Sequence, residues 1–102
     1  MITPAHVQHA FASHNLALQR YAQAPELCDR SACQAIWTWG GEHTYLAAAG
    51  KTDFVVVVFP TIRDAVRVAE VGTSDRRRNA VLFYLASARH RLAIVRRIFS
   101  GL

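Results

Sequence analysis

Arg76-Arg77-Arg78 is the densest charge in the chain, and Arg89, Arg91, Arg96 and Arg97 follow before its end at residue 102. A guanidinium is a planar fork of N–H donors that meets phosphate or carboxylate oxygens two at a time, so a cluster of this kind has the chemistry of an anion-binding surface. Residues 76–102 contain no Asp or Glu and carry +7, whereas residues 1–75 hold five basic residues against all seven acids, a net −2. Charge this one-sided points to an anionic partner, with nucleic acid preferred over an acidic protein face and an anionic lipid surface third. The ordinary alternative is an arginine- and alanine-rich composition, since Lys51 is the single lysine and alanines number 17.

Acid–base chemistry has fewer candidates. His43 or His90, with nearby arginines and Tyr45 or Tyr84, has the groups that cleave a phosphodiester without a metal, as in a small basic ribonuclease of the toxin kind. His6 and His9 are one helical turn apart, but two ligands without a third make no metal site, and no cofactor is expected. Cys28 and Cys33 are too few for a disulfide scaffold; in a helix a spacing of five separates them by about 140°, so two reduced thiols near the core are expected. The sequence lacks GxxxxGK[ST], GxGxxG, HExxH, GxSxG and paired CxxC, which leaves nucleotide-phosphate, zincin, α/β-hydrolase and zinc-ribbon chemistry without support. Glu42, Asp53, Asp64, Glu70 and Asp75 fall mostly in turns or on solvated faces. The expectation is a non-enzymatic accessory or regulatory protein that binds an anionic partner through Arg76, Arg77, Arg78, Arg89, Arg91, Arg96 and Arg97. The ribonuclease and a homodimeric interaction module are the alternatives.

These side chains need a scaffold. A chain of 102 residues that is 52% apolar and 19% charged suits one globular domain spanning 1–102. Thr3 before Pro4 predicts a helix start, and Val7, Ala10, Phe11, His14, Ala17, Leu18 and Tyr21 recur at three and four, predicting one helix to about Ala24 with His14 in its apolar stripe. Ala35–Trp39 and Glu42–Leu46 around Gly40-Gly41 read as a tight hairpin with Tyr45 opposite Ile36, and a helix over residues 26–39 ending at Gly40-Gly41 is the competing reading. Ile36, Thr38, His43 and Tyr45 then share one face. Trp37 and Trp39 share the other, as core or, if exposed, as a stacking platform. Phe54–Phe59 has no polar alternation and must be a central strand covered on both faces, by the first and last helices. Thr61 opens a short helix to about Val71 with Ile62, Ala65, Val66 and Ala69 inward. Gly72 caps it, and Thr73-Ser74-Asp75 begins the next helix.

The last segment has two readings. Val81, Leu85, Ala88, Leu92, Val95 and Phe99 trace one face of a helix from Asp75 to Phe99, which is preferred; the alternative makes Ala80–Ala86 a buried strand before a helix starting near Ser87. The long helix would set the arginine triplet at its N-terminus, against the macrodipole, and a local rule broken in this way points to function. In either case Arg89, His90, Arg96 and Arg97 lie along one flank. The expected fold is α+β: an N-terminal helix, a three-stranded antiparallel meander (Ile36–Trp39, His43–Ala47, Phe54–Phe59), a short helix and a long or strand-interrupted basic C-terminal helix.

Helix, three strands, helix is also the succession of double-stranded-RNA-binding domains, but Thr61-Ile62-Arg63-Asp64 lacks their basic cluster. Ribbon-helix-helix and helix-turn-helix arrangements fail because Arg78 and Asn79 fall where they need apolar residues. The apolar fraction exceeds what one small core encloses, so a two-fold dimer is expected, with Leu16, Leu82, Phe83 or Ile94 left outside a monomer. The longest apolar runs, Phe54–Pro60 and Ala80–Ala86, are far below the roughly 18–20 residues that cross a bilayer. The opening MITPAHVQHAF has no Lys or Arg before a short apolar run, so a secretory signal is not expected and the cytoplasm is the default address.

Overall fold

The computed structural model describes residues 1–23, 39–49, 53–69, 74–84 and 89–102. Thr3 caps α1 (Pro4–Ala12), its Oγ1 accepting the His6 N–H at 3.1 Å, as the hydroxyl–proline pair predicts. The helix stops well before Ala24. Asn15 takes φ 61°, its N–H donates to the Ala12 carbonyl and the Leu16 N–H donates to the Phe11 carbonyl, both at 3.0 Å. Helices close in this way around a left-handed residue, for which asparagine is the usual substitute for glycine. β1 (Leu18–Tyr21) follows with Leu18 buried and Gln19 and Arg20 exposed, and His14 is exposed in the turn rather than facing the core.

β2 (Thr44–Ala48), β3 (Phe54–Val58), α2 (Ile62–Ala69), β4 (Ser74–Arg77), β5 (Ala80–Tyr84) and α3 (Arg89–Ser100) complete the order. All five strands form one antiparallel sheet, β1-β2-β3-β5-β4. The α+β class holds, and the three-stranded meander understates the sheet. Both edges of β2 are occupied: Tyr45 lies opposite Tyr21 on one side and Val57 on the other. Ile36, Trp37 and Thr38 lie outside the described residues, as do Cys28 and Cys33.

Residues 74–84 form a hairpin rather than the start of a long helix, so the strand-interrupted reading is the correct one. The reason is burial. A helix would turn Leu82 and Phe83 to the polar side, whereas β5 lies between β3 and β4 and buries Ala80, Val81, Leu82 and Phe83 completely. Each large side chain so buried contributes roughly 1.5–3 kcal/mol.

β3 is buried along its whole length, as its unbroken apolar run requires, but its cover differs from the expected pair of helices. α1 and α3 share one face, where Val7, Phe11, Val95 and Phe99 pack on Leu46, Phe54, Val56 and Leu82. α2 covers the other with Ala65 and Val68, against Val55, Val57, Phe59, Val81 and Phe83. Thr61 Oγ1 accepts the Asp64 N–H at 3.1 Å at the start of α2; Ile62 and Val66 are exposed rather than inward. Two cores, one on each face, enclose most of the apolar excess. Leu82 and Phe83 are fully buried and Leu16 half-buried, and of the four residues expected outside only Ile94 is largely exposed, at 55%. Among the described residues no helix is long and apolar enough to cross a membrane.

Candidate anion-binding surface

The β4–β5 hairpin turns through Arg78-Asn79, with Arg77 opposite Ala80. Asn79 fixes the turn to the rest of the fold. Its side chain is only 2% exposed; Oδ1 accepts the Ile2 N–H, and Nδ2 donates to the carbonyls of Ile2 and Phe59, all at 2.8 Å. Its own carbonyl accepts the Phe59 N–H at 2.8 Å. With Asn79 held, the first turn position takes φ 51°, and the residue there is Arg78. Glycine is the usual occupant of a positive-φ hairpin position, so an arginine there is a locally unfavourable choice.

The arginine triplet therefore does not sit at a helix N-terminus, and no helix dipole opposes it. It occupies the end of an edge strand. Arg76 lies opposite Val81, on the face that α2 covers, and its Nη1 donates to the Arg78 carbonyl at 3.1 Å. Arg77 lies opposite Ala80, on the α1–α3 face, and its Nε donates to the main-chain oxygen of Leu102 at 3.1 Å. All three arginines are exposed, as is Arg97 in the last turn of α3. A shallow cleft of about 440 Å³ between β4 and the end of α3 is lined by Ser74, Asp75, Arg76, Arg77, Phe99 and Ser100.

The remaining predicted residues do not join one free flank. Arg96 meets Asp75 through two hydrogen bonds, Nε at 2.7 Å and Nη2 at 3.2 Å, and lies over the Tyr84 ring at 5.3 Å. The Asp75 carboxylate, by hydrogen bond and by charge, raises the Arg96 pKa above its usual value. Burial and then Asp75 push the Tyr84 phenol up. Arg91 lies 3.4 Å from Asp53, without the alignment of a hydrogen bond, and 5.3 Å above the Phe54 ring. Arg89 opens α3, and its side chain and that of His90 lie outside what is described. Acids from outside residues 76–102 thus neutralise Arg91 and Arg96. Arg76, Arg77, Arg78 and Arg97 have no Asp or Glu side chain within ion-pair distance among the described residues.

His43 and Tyr45 do come together. His43 Nδ1 is 2.8 Å from the Gly41 carbonyl, which can only accept, so Nδ1 carries a proton, and Nε2 lies 2.7 Å from the Tyr45 hydroxyl. Burial raises the Tyr45 pKa. Both imidazole nitrogens are engaged, and the ring stacks on Phe59 at 5.8 Å. Trp39 meets Phe59 edge-on at 5.7 Å, half-buried, with the Arg67 guanidinium 5.8 Å from its ring, which places it with the α2-side core rather than on an open platform. Among the described residues no three His, Cys, Asp or Glu are placed to hold a metal ion.

Sequence reasoning missed Asn79 as the clamp and Asp53 and Asp75 as partners. Asn79 carried a signal, because an asparagine followed by a five-residue apolar strand is a turn former beside a core. Asp53 and Asp75 carried none, since each meets an arginine at least 21 positions along the chain. No known protein family, curated protein or solved structure matches this chain.

Proposed function

We propose that this chain is a non-enzymatic binding protein that engages an anionic partner through Arg76, Arg77, Arg78 and Arg97. One observation carries the reading: three consecutive exposed arginines at the end of an edge strand, two of them oriented by main-chain oxygens, have no Asp or Glu side chain to neutralise them among the described residues. Charged edge strands also discourage edge-to-edge aggregation, and that role alone would be met by scattered lysines. Two features favour a binding role over edge protection alone. Arginine is used throughout, and one arginine occupies a strained turn position where glycine would serve.

The test is retention of nucleic-acid-free protein on a polyanion as salt is raised. With four phosphates contacted on a duplex, the log affinity falls against log salt with a slope of about −3.5. Replacing Arg76, Arg77 and Arg78 together with alanine reduces the slope to roughly −1. Binding that ignores the triple substitution would overturn the reading, as would no binding to either nucleic acid or acidic polymers at low salt. The ribonuclease alternative gains no support from His43, whose two nitrogens are both engaged. Self-association is a separate proposal that retains Ile94 among its expected contacts, and solution mass at tens of micromolar tests it.

A further inference from the structure

We propose that the edge of β4 left without a partner strand among the described residues is a docking strand on which an extended acidic segment of a partner protein adds to the sheet. The inference rests on the anion-binding reading above and names the class of partner. Among the described residues β4 pairs with β5 alone, so its other edge presents main-chain donors and acceptors in the geometry that a further strand completes.

The placement of the charges distinguishes a strand from a duplex. Arg76 and Arg77 are neighbours in sequence but project from opposite faces of the sheet, towards the α2 side and the α1–α3 side respectively. A nucleic acid duplex laid flat on either face meets one of them directly, and only a duplex brought edge-on to the hairpin reaches both. An extended peptide alternates its side chains across the sheet, so two consecutive acidic residues set one carboxylate beside Arg76 and the next beside Arg77. Each guanidinium spends one N–H on a main-chain oxygen and keeps the rest of its fork for a carboxylate. Arg78, at the tip of the same hairpin, extends the positive field along the path of the incoming chain.

A second copy of this chain fits the same edge less well. Two β4 strands related by a two-fold axis at the middle of the strand set Arg76 against Arg76 or Asp75 against Asp75, and the register that also brings Arg77 opposite Asp75 calls on an acid that Arg96 already holds. Only four residues long, β4 offers few main-chain hydrogen bonds, so affinity depends on acids in the partner.

Fluorescence anisotropy on the full chain tests this with an eight-residue peptide of alternating valine and threonine around a central Asp-Glu pair. Two N-methylated versions are blocked at alternate sets of backbone amides, and a duplex and a single-stranded oligonucleotide are run at the same ionic strength. The parent peptide binds, one N-methylated version loses at least tenfold while the other does not, and Arg76→Ala and Arg77→Ala each weaken the parent severalfold. If both methylated peptides bind like the parent, strand addition is wrong and anion binding stands. If oligonucleotides bind in a salt-dependent way and no peptide does, the partner is a nucleic acid and the inference fails alone. If nothing binds, the anion-binding reading fails with it.

Discussion

Replacing Arg78 with glycine separates what this residue does for the fold from what it does for a partner. Arg78 holds φ 51°, a region that costs an L-residue roughly 1–2 kcal/mol and costs glycine nothing. Glycine returns about 0.4–1 kcal/mol of that gain through the greater freedom of its unfolded chain, leaving a net stabilisation of about 0.5–1 kcal/mol. For a chain of this length the melting temperature rises by roughly 2–6 °C. Arg78→Ala is the control, because it removes the same charge but keeps the Cβ at positive φ, and it leaves the melting temperature within about a degree of the parent. The difference between the two variants therefore isolates the backbone. Both lose one phosphate contact, and the slope of log affinity against log salt becomes less steep by about 0.9. Glycine and alanine variants that melt together would show that the turn stores no strain. An Arg78→Gly protein that binds polyanions as tightly as the parent would remove Arg78 from the surface.

Asn79→Ala leaves the Ile2 N–H and the Ile2 and Phe59 carbonyls without their side-chain partner, at about 1–3 kcal/mol for each group stranded in the interior. Urea unfolding should show a loss of at least about 3 kcal/mol, and a loss below about 1 kcal/mol would mean that water replaces the clamp. Val57→Asp buries an unpaired charge where the parent is fully enclosed and should abolish the cooperative melt followed by circular dichroism. Tyr45 and Tyr84 have pKa values raised by burial, so above the ordinary tyrosine value of about 10 the unfolded chain ionises first and stability falls with rising pH. Tyr45→Phe should flatten that alkaline decline in a thermal-melt series between pH 8 and 11; an unchanged slope would show that Tyr45 does not contribute to it.

Much of the scaffold was legible because a local pattern and a tertiary demand agreed. Thr3-Pro4 starts a helix and Phe54–Val58 has no wet face, and both readings stand. The failures occur where helical spacing continued by coincidence through a chain reversal. Ala17, Leu18 and Tyr21 extend the stripe of α1, yet Asn15 had already closed the helix, and Leu18 is buried from a strand. Residues 75–99 failed for the same reason: Val81 and Leu85 fit a helical face, while Leu82 and Phe83 fit none. A strand buried on both faces covers Val81, Leu82 and Phe83 together.

The candidate surface was legible in its composition and not in its geometry. Counting charge along the chain found the +7 segment, but a sum over sequence cannot show that Asp75 and Asp53 cross back to Arg96 and Arg91. What survives that neutralisation is smaller and better defined: Arg76 and Arg77 on opposite faces of one edge, and Arg78 at its tip. The tip is rigid because Asn79 joins it to Ile2 and Phe59, so the positive φ of Arg78 is imposed by a buried hydrogen-bond set that the exposed side chain does nothing to stabilise. An exposed residue held in an unfavourable conformation by its buried neighbour gains nothing for the fold. Its charge is the one property of Arg78 that glycine lacks and a partner can use, and this is why the turn, rather than the helix that carries more arginines, is the centre of the proposed surface.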